Sequence, residues 1–149
     1  MANIQKITPF LWYNNKAEEA AKFYCSIFEN SRVVNSSPMV VTFTLEGQQF
    51  LALNGGPQFK FTEAISLMVN CESQQEVDMF WGKLIEGGGA ESQCGWLKDK
   101  YGLSWQIIPT ILGKLMSDPD RKKSDRVMQA ILKMKKIEIK KLQEAYDQK

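Results

Sequence analysis

The sequence of 149 residues contains no histidine. Histidine is the most frequent metal ligand and general base in proteins, so its absence excludes metal and acid–base sites built on imidazole. Cysteine is scarce as well: the three residues Cys25, Cys71 and Cys94 lie far apart and predict neither a disulfide framework nor a zinc knuckle. We therefore expect reduced thiols and a cytoplasmic location.

Long hydrophobic runs are also missing. None approaches the roughly 20 apolar residues that a membrane-spanning helix needs, and no signal-peptide pattern opens the chain. The apolar fraction of 44% and the charged fraction of 24% are typical of a globular domain with a sizeable core. The composition therefore predicts one folded domain without membrane contact.

An excess of charge of one sign occurs only towards the carboxyl end. The net charge is +2, but residues 114–149 contain 11 basic and 6 acidic side chains. A basic segment can bind nucleic acid, yet acidic residues are interspersed here and no aromatic residues alternate with the basic run. We expect a solvated helix face and no nucleic-acid partner.

The pattern of apolar residues predicts a unit of strand, helix and three strands that occurs twice. A shift of 57 residues superimposes residues 19–29 on 76–86 and, without a gap, residues 10–12 on 67–69. Two amphipathic helices can also agree by chance, because helical patterning restricts a sequence little. Strands are predicted at 4–13, 32–35, 39–45, 49–53 and 65–70, and the first of them is expected to be buried on both faces. Helices are predicted at 17–28, with Asn15 as N-cap, and at 73–86, with Ser73 and Glu76 as a capping box.

A β-hairpin at residues 93–109 closes the second unit. Its predicted turn runs from Asp99 to Gly102, where Asp suits the first position of a type I turn and Gly the last. Gln106 is the one polar residue at the centre of an otherwise apolar strand. Because a buried amide needs partners, Gln106 is either a core residue with satisfied hydrogen bonds or an anchor for a ligand in a cavity.

The residues beyond Pro109 predict helices. One or two helical turns are expected at 111–116, and a longer helix begins near Pro119 with Asp118 as its cap. This longer helix is either a packing element or a dimer contact, because it has an apolar stripe. The stripe consists of Val127, Ile131, Met134, Ile137 and Leu142.

Three segments identify a family resemblance: Leu53–Pro57 (LNGGP), Cys94–Leu97 (CGWL) and Ser104–Ile107 (SWQI). Together with the paired βαβββ halves, they resemble the vicinal oxygen chelate (VOC; glyoxalase/bleomycin resistance/dioxygenase) superfamily. Within it they are most similar to PhnB-like proteins, often labelled 3-demethylubiquinone-9 3-methyltransferase-like. The resemblance implies an α+β fold in which two βαβββ modules form curved mixed sheets around a cavity, followed by C-terminal helices.

The resemblance also implies an organisation of the chain. A paired-module domain is expected at residues 1–117, with modules at about 4–57 and 64–109, and a helical extension at 118–149. Paired modules of this superfamily often dimerise, so we expect a homodimer held partly by the tail. The connection at residues 35–39 is shorter than in the family, so either the chain is shortened there or a segment is missing.

Metal-binding members of the superfamily place ligands on the first strand of each module and on the last strand. Matching the turn assigns the last position to Gln106 and the second to about Ala64. The remaining position falls on Ile7, or on Thr8 or Pro9 if the register slips. Side chains of Ala, Ile and Pro cannot bind a cation, so we predict no metal site and no cofactor.

Alternation along the strands predicts which side chains line the cavity. If Gln106 points inward, every second residue does too, and the residues between them lie beneath the helices. An error of one residue in register would reverse every assignment, and all of these residues can equally be core. The predicted lining residues are Gln106, Ser104, Ser66, Met68, Leu11, Gln49, Leu51 and Leu53, with Phe59 and Phe61 at the rim.

Three functions compete on these grounds. The favoured one is a protein that binds a small molecule without catalysis, since the predicted cavity is apolar with a few polar anchors. The second is an enzyme, either metal-dependent with unusual ligands or acid–base, and the third is an interaction protein that works through its tail. The enzyme's candidate carboxylates, expected mainly in exposed turns and strand ends, are Glu46, Glu63, Glu72, Glu91 and Asp99.

The methyltransferase label has no support in the residues. S-adenosylmethionine is usually held by a Gly-rich turn that leads from a strand into a helix. Gly87–Gly89 is instead predicted to end a helix, and the glycines at 55 and 56 are followed by Pro57 without a helical pattern.

Overall fold

The computed structural model describes residues 4–148 of the chain. These residues form eight strands and five helices, and the chain divides into two compact units, Met1–Phe61 and Thr62–Lys149. The first unit contains β1 (Phe10–Tyr13), α1 (Ala17–Ile27), β2 (Arg32–Ser36), β3 (Val40–Leu45) and β4 (Gln48–Asn54). The second contains β5 (Ser66–Cys71), α2 (Gln74–Ile85), β6 (Ala90–Glu91), β7 (Trp96–Lys98), β8 (Ser104–Pro109), α3 (Thr110–Met116), α4 (Arg121–Ile131) and α5 (Ile139–Asp147).

Each unit contains one four-stranded mixed sheet, and the two sheets have the same topology. The strand orders are β1-β4-β3-β2 and β5-β8-β7-β6. In both sheets the first strand runs parallel to the last, whereas the other neighbours are antiparallel. The predicted α+β fold with two βαβββ units is confirmed.

The two units differ in length at the connection between their first strand and their helix. β1 and β5 end at Tyr13 and Cys71, which are 58 residues apart, whereas α1 and α2 begin at Ala17 and Gln74, which are 57 apart. The first connection therefore contains one extra residue, and the prediction of a repeat without a gap is wrong. Asn15 in this connection adopts a φ of 59°, a left-handed conformation that asparagine tolerates better than most residues.

The two helices are capped in different ways. Ser73 Oγ accepts a hydrogen bond from Glu76 N at 3.1 Å, as the predicted capping box requires. Asn15 does not cap α1 as predicted, because the backbone amide of Ala17 donates to Asn54 Oδ1 at 2.9 Å. The first amide of α1 is thus satisfied by a side chain at the end of β4.

The amino-terminal segment is a strand only from Phe10 onward, so the predicted strand at 4–13 is too long. Ile7 is 84% exposed, and Phe10 is 55% exposed, so burial on both faces is also wrong. A side chain, and not a ladder of backbone hydrogen bonds, holds the segment against β4. Gln5 Oε1 accepts from Gln49 N at 3.2 Å, and Gln5 Nε2 donates to Gln49 O at 3.0 Å. One amide side chain therefore takes the place of a paired backbone residue.

The hairpin between β7 and β8 closes through the predicted turn. Gly102 N donates to Asp99 O at 2.9 Å, and Gly102 adopts a φ of 88°, which favours glycine. Asp99 is only 2% exposed. Its Oδ1 accepts from the amides of Tyr101 and Leu103, and its Oδ2 accepts from Trp105 Nε1 at 2.9 Å. Asp99 therefore organises the hairpin from within the fold, where exposure was expected.

The tail forms two helices and not one long helix. α4 begins after Asp120, whose carboxylate accepts from Lys122 N at 3.0 Å, so Asp118 is not the cap. The chain leaves the helix at Leu132 and starts α5 only at Ile139. In the segment between them, Met134 O accepts a hydrogen bond from Cys94 N at 2.8 Å, which ties the tail to the residues preceding β7.

The apolar stripe of the tail is buried within its own unit. Val127, Ile131, Met134, Ile137 and Leu142 form one cluster with Leu115, against which Cys94, Ile108 and residues of α3 pack. We call this cluster the tail core. Since the tail core needs no partner chain for cover, the stripe no longer argues for a dimer. The tail and the second sheet lie within the unit Thr62–Lys149, and the boundary expected at residue 118 stays a prediction.

Candidate functional site

Each sheet has one face covered by a helix and one face that is partly exposed. In the first unit, Tyr13 and Tyr24 share a hydrogen bond of 2.9 Å between their hydroxyls beneath α1, and Phe43 and Ala52 are fully buried on the same side. The opposite side is here called the first open face. The residues that β1, β3 and β4 contribute to this face are Phe10, Trp12, Val40, Thr42, Thr44, Gln49, Leu51 and Leu53.

The strand register places three of the predicted lining residues, Gln49, Leu51 and Leu53, on the first open face. Leu11 lies on the other side: it is 5% exposed and pairs with the fully buried Ala52. The assignment of Leu11 is therefore corrected. The error arises from the extra residue in the first connection, which exchanges the residues of β1 that face the helix with those that face away from it.

The LNGGP segment closes over Trp12 at the end of the first open face. Trp12 Nε1 donates to Gly56 O at 2.9 Å, and the ring of Phe59 meets the Trp12 ring edge-on at 5.0 Å between centroids. Phe59 is 67% exposed, as a rim residue would be. Phe61 instead contacts Tyr13, at 5.3 Å between centroids, whose side chain lies on the covered side. The two predicted rim residues are thus separated.

The second open face is built in the same way on the sheet of the second unit. Trp105 and Ile107 are buried on the side where α2 packs against β7 and β8. The alternating residues point away from α2, and Ile108 among them packs partly against the tail core. The residues that β5, β7 and β8 contribute to the second open face are Ser66, Met68, Asn70, Trp96, Lys98, Ser104, Gln106 and Ile108.

Gln106 lies in the centre of the second open face, beside Met68 on one side and Trp96 on the other. Its Nε2 donates to Ser66 Oγ at 2.9 Å. This bond uses the amide nitrogen, and among residues 4–148 no hydrogen bond is made to Oε1. Gln106 therefore has one internal partner and one acceptor atom that a ligand can use.

Ser104 is the most deeply buried polar residue of the second open face. It is 1% exposed, and no hydrogen-bond partner for its Oγ is found among the described residues. The register places it between Ser66 on β5 and Lys98 on β7. Buried polar atoms are usually hydrogen-bonded, so this hydroxyl is an exception within a polar group of side chains.

Lys98 carries the positive charge of the second open face. Its ammonium group forms an ion pair with the carboxylate of Glu63, which lies three residues before β5. The hydrogen bond from Lys98 lowers the pKa of Glu63 below its ordinary value. Among the five candidate carboxylates, Glu63 is the one that reaches this face. The contact of Glu63 with Lys98 was not foreseen from the sequence, because it joins a loop to a strand 35 residues away. The unpartnered hydroxyl of Ser104 was not foreseen either.

The remaining candidate carboxylates have structural contacts or lie in turns. Glu91 Oε2 accepts from Trp81 Nε1 at 2.7 Å, and Glu72 Oε2 accepts from Thr110 Oγ1 at 3.3 Å. Glu46 is an exposed turn residue with a φ of 49°. Asp99 is engaged within its hairpin. The carboxylates therefore do not converge on one acid–base site.

The residues present do not fit the metal centre that the superfamily implies. Ile7 and Ala64 are exposed apolar residues outside the strands, and the amide of Gln106 is hydrogen-bonded to Ser66. The part of the chain that the structure describes contains no group of three or more cysteine, aspartate or glutamate side chains able to hold a metal ion. One amide oxygen alone is not the donor set of a hard cation.

A separate cavity lies at the amino end of α1. It has a volume of about 660 Å³ and is bordered by polar side chains. None of the predicted lining residues borders it. Its lining consists of Asn15, Glu18, Glu19, Ser36, Ser37, Pro38 and Asn54.

Within residues 4–148, no helix has the length and apolar character needed to cross a membrane.

Solved structures share this fold. A fosfomycin resistance protein from Listeria monocytogenes, FosX, solved with Mn(II) and sulfate, matches with 15% identity and a TM-score of 0.56, covering 77% of this chain and 96% of its own. A glyoxalase-related enzyme from Fulvimarina pelagi matches with 14% identity and a TM-score of 0.52, covering 72% of this chain and 91% of its own. The fold is that of the glyoxalase/bleomycin resistance, or VOC, superfamily.

A more specific match defines the family. A PhnB protein from Bacillus cereus is 38% identical with a TM-score of 0.65, covering 71% of this chain and 100% of its own. The family model described as 3-demethylubiquinone-9 3-methyltransferase matches residues 5–108. The chain belongs to this PhnB-like family. No match was found among curated proteins.

Proposed function

We propose that this protein binds a small, largely apolar organic molecule on its open sheet faces, without a conventional metal site. One observation carries the proposal. In a sheet with one face in water, the residues that point to the water are usually polar. The first open face instead carries the apolar residues Phe10, Trp12, Leu51 and Leu53. Phe10 is exposed and the other three are partly buried, and an apolar patch that is open to solvent marks a site of interaction.

The polar residues on these faces support a ligand site. Small-molecule sites combine apolar walls with a few polar groups that fix orientation. Gln106 and Ser66 are joined by a hydrogen bond beside Met68, which is 55% exposed. An apolar ligand covering Met68 would also come within reach of the free Oε1 of Gln106.

Methyl transfer is not part of the proposal, although the family description names it. Gly87 and Gly89 follow α2, and Gly89 N donates to Ile85 O at 2.8 Å, so this glycine run ends a helix. Gly55 and Gly56 are in contact with Trp12. Neither run leads from a strand into a helix, the arrangement that usually holds S-adenosylmethionine.

The homodimer remains a prediction. Its support is the family resemblance alone, because the tail core supplies its own cover. Light scattering at tens of micromolar tests it, and a monomer would contradict it.

The binding proposal can be tested with a neutral aromatic probe, 2-naphthamide, titrated into 15N-labelled protein. We expect amide shifts concentrated in the strands of an open face, β4 for the first and β5 and β8 for the second. Met68→Asn removes apolar surface from the second open face and should weaken binding about threefold to tenfold, as expected for partial burial of one side chain. Met79→Asn is the matched control, since Met79 is 41% exposed on α2.

Two results would contradict the proposal. One is the absence of strand shifts at millimolar probe, and the other is equal weakening by the two substitutions. The metal part is tested separately by elemental analysis after dialysis. About one zinc, manganese, iron or nickel per chain would refute it.

A further inference from the structure

The second open face contains an ion pair whose position is unusual for a surface contact. Lys98 lies on β7 next to Ser104, two residues from Trp96, which shares its face. The strands of this sheet include no other basic residue among those described. Glu63 reaches Lys98 from the turn before β5. A single ammonium group and a carboxylate from a loop therefore lie at the edge of an otherwise apolar and amide-lined surface.

The ion pair is held weakly. The side chains of Lys98 and Glu63 are 42% and 61% exposed. Exposed pairs of this kind contribute little to stability, because water competes with the contact and two long side chains must be ordered. A second carboxylate can therefore replace Glu63 on Lys98 at small cost.

The hydroxyl of Ser104 gives an independent reason to expect a ligand here. It is buried and lacks a partner among residues 4–148. The register puts Lys98 directly across the strand pair from it, and side chains so placed have Cβ atoms about 5 Å apart. A carboxylate that displaces Glu63 from Lys98 would lie on the side of the sheet from which Ser104 projects, and this hydroxyl needs an acceptor.

We propose that the ligand carries a carboxylate, which binds Lys98 in place of Glu63 and accepts a hydrogen bond from Ser104. This inference rests on the proposed function, since the apolar body of the ligand would lie on Met68 and Trp96. In the protein without ligand, the carboxylate of Glu63 occupies the position on Lys98 that the carboxylate of the ligand would take. A monoanion fits better than a doubly charged phosphate, because exchange of one carboxylate for another leaves the charge around Lys98 unchanged.

The test compares two probes of nearly the same shape at fixed ionic strength, 2-naphthoate and neutral 2-naphthamide. Naphthoate should bind about threefold to tenfold more tightly, the gain expected from the hydrogen bond of Ser104, since one carboxylate replaces another on Lys98 at little net cost. Lys98→Met keeps most of the stem but removes the charge, so it should abolish the preference for naphthoate over naphthamide. Lys98→Arg should restore most of it.

Two further variants sharpen the test. Glu63→Gln removes the competing carboxylate and should raise the preference for naphthoate over naphthamide about threefold or more. Lys83→Met is the matched control for loss of one positive charge, since Lys83 pairs with Glu86 at the end of α2. It should leave both affinities unchanged.

The outcomes separate this inference from the proposed function. Equal affinity for the two probes, or a naphthoate preference that survives Lys98→Met, overturns the carboxylate anchor and leaves the proposed function intact. An unchanged preference for naphthoate in Glu63→Gln overturns the displacement of Glu63. Failure of both probes to shift the amides of β5 and β8 overturns binding on the second open face, and failure to shift β4 as well overturns the proposed function itself.

Discussion

Trp12 and Gly55 are in direct contact: a Cβ atom added to Gly55 would lie 2.3 Å from Cε2 of the Trp12 ring. Real Cβ contacts are not this short, so any side chain at residue 55 must displace the indole. The indole also donates to Gly56 and supports Phe59. Gly55, the first glycine of the LNGGP segment, therefore makes room for Trp12 on the first open face.

Gly55→Ala should lower the free energy of unfolding by about 1–3 kcal/mol, the usual cost of overpacking. The backbone of Gly55 does not adopt a left-handed conformation, so the loss comes from the contact with Trp12. Urea denaturation measures it. Gly82→Ala is the control: Gly82 lies within α2 with no atom within 4 Å of the added Cβ, and the change should stabilise by about 0.5–1 kcal/mol. Similar effects at the two positions would contradict the packing argument.

Ser104→Ala should leave stability unchanged or raise it by up to about 1 kcal/mol, because a buried hydroxyl without a partner is itself destabilising. Ser73→Ala provides the comparison, since it removes the cap of α2 and should cost about 1 kcal/mol. Thermal and urea melts of both variants decide the matter. A clear loss of stability in Ser104→Ala would show that its hydroxyl has a partner in the folded protein.

Gln106→Leu separates the two roles that the sequence leaves open. Ser66, its partner, is half-exposed, so water can replace the lost hydrogen bond. We expect a stability loss below about 1 kcal/mol and weaker binding of the naphthamide probe by about 0.5–1.5 kcal/mol. A loss of about 1–3 kcal/mol in denaturant melts would instead identify Gln106 as a core residue whose buried partners are stranded.

Met134→Ala should destabilise the second unit by about 2–5 kcal/mol, because Met134 is 6% exposed within the tail core. Met128→Ala, at a methionine on α4 that is 40% exposed, should be nearly neutral. The melting temperature of Met134→Ala should not depend on protein concentration, since the contacts are within one chain. A strong concentration dependence that disappears in this variant would return the stripe to a dimer interface.

The topology was predictable because two halves of the chain carry the same order of periodic segments. The capping box at Ser73 and the turn at Asp99–Gly102 were predictable because they depend on neighbours within four residues. The cap of α1 was not, because Asn54 lies 37 residues from the amide of Ala17 that it accepts from. Local patterns determine local bonds, and the long-range ones require the folded chain.

The candidate site was predictable only as far as the strand register held. Gln49, Leu51, Leu53, Ser66, Met68, Ser104 and Gln106 follow the predicted alternation, whereas Leu11 does not. The helical pattern fixes where α1 begins, but a strand of four residues carries too little alternation to fix its own parity. The tail was predicted as one helix because its apolar spacing continues through a segment that is not helical.

The extra residue between Tyr13 and Ala17 also affects how the two halves of the chain are compared. An alignment of one half with the other has to carry a gap at this connection. Without the gap, Leu11 is matched to Met68 and the inner and outer surfaces of β1 are exchanged, while the helices still align. A chimera designed on the ungapped alignment, with its junction inside the first strand, would therefore lose or gain one residue ahead of the helix. Its strand and helix would be out of phase, whereas a junction placed after the helix avoids the problem.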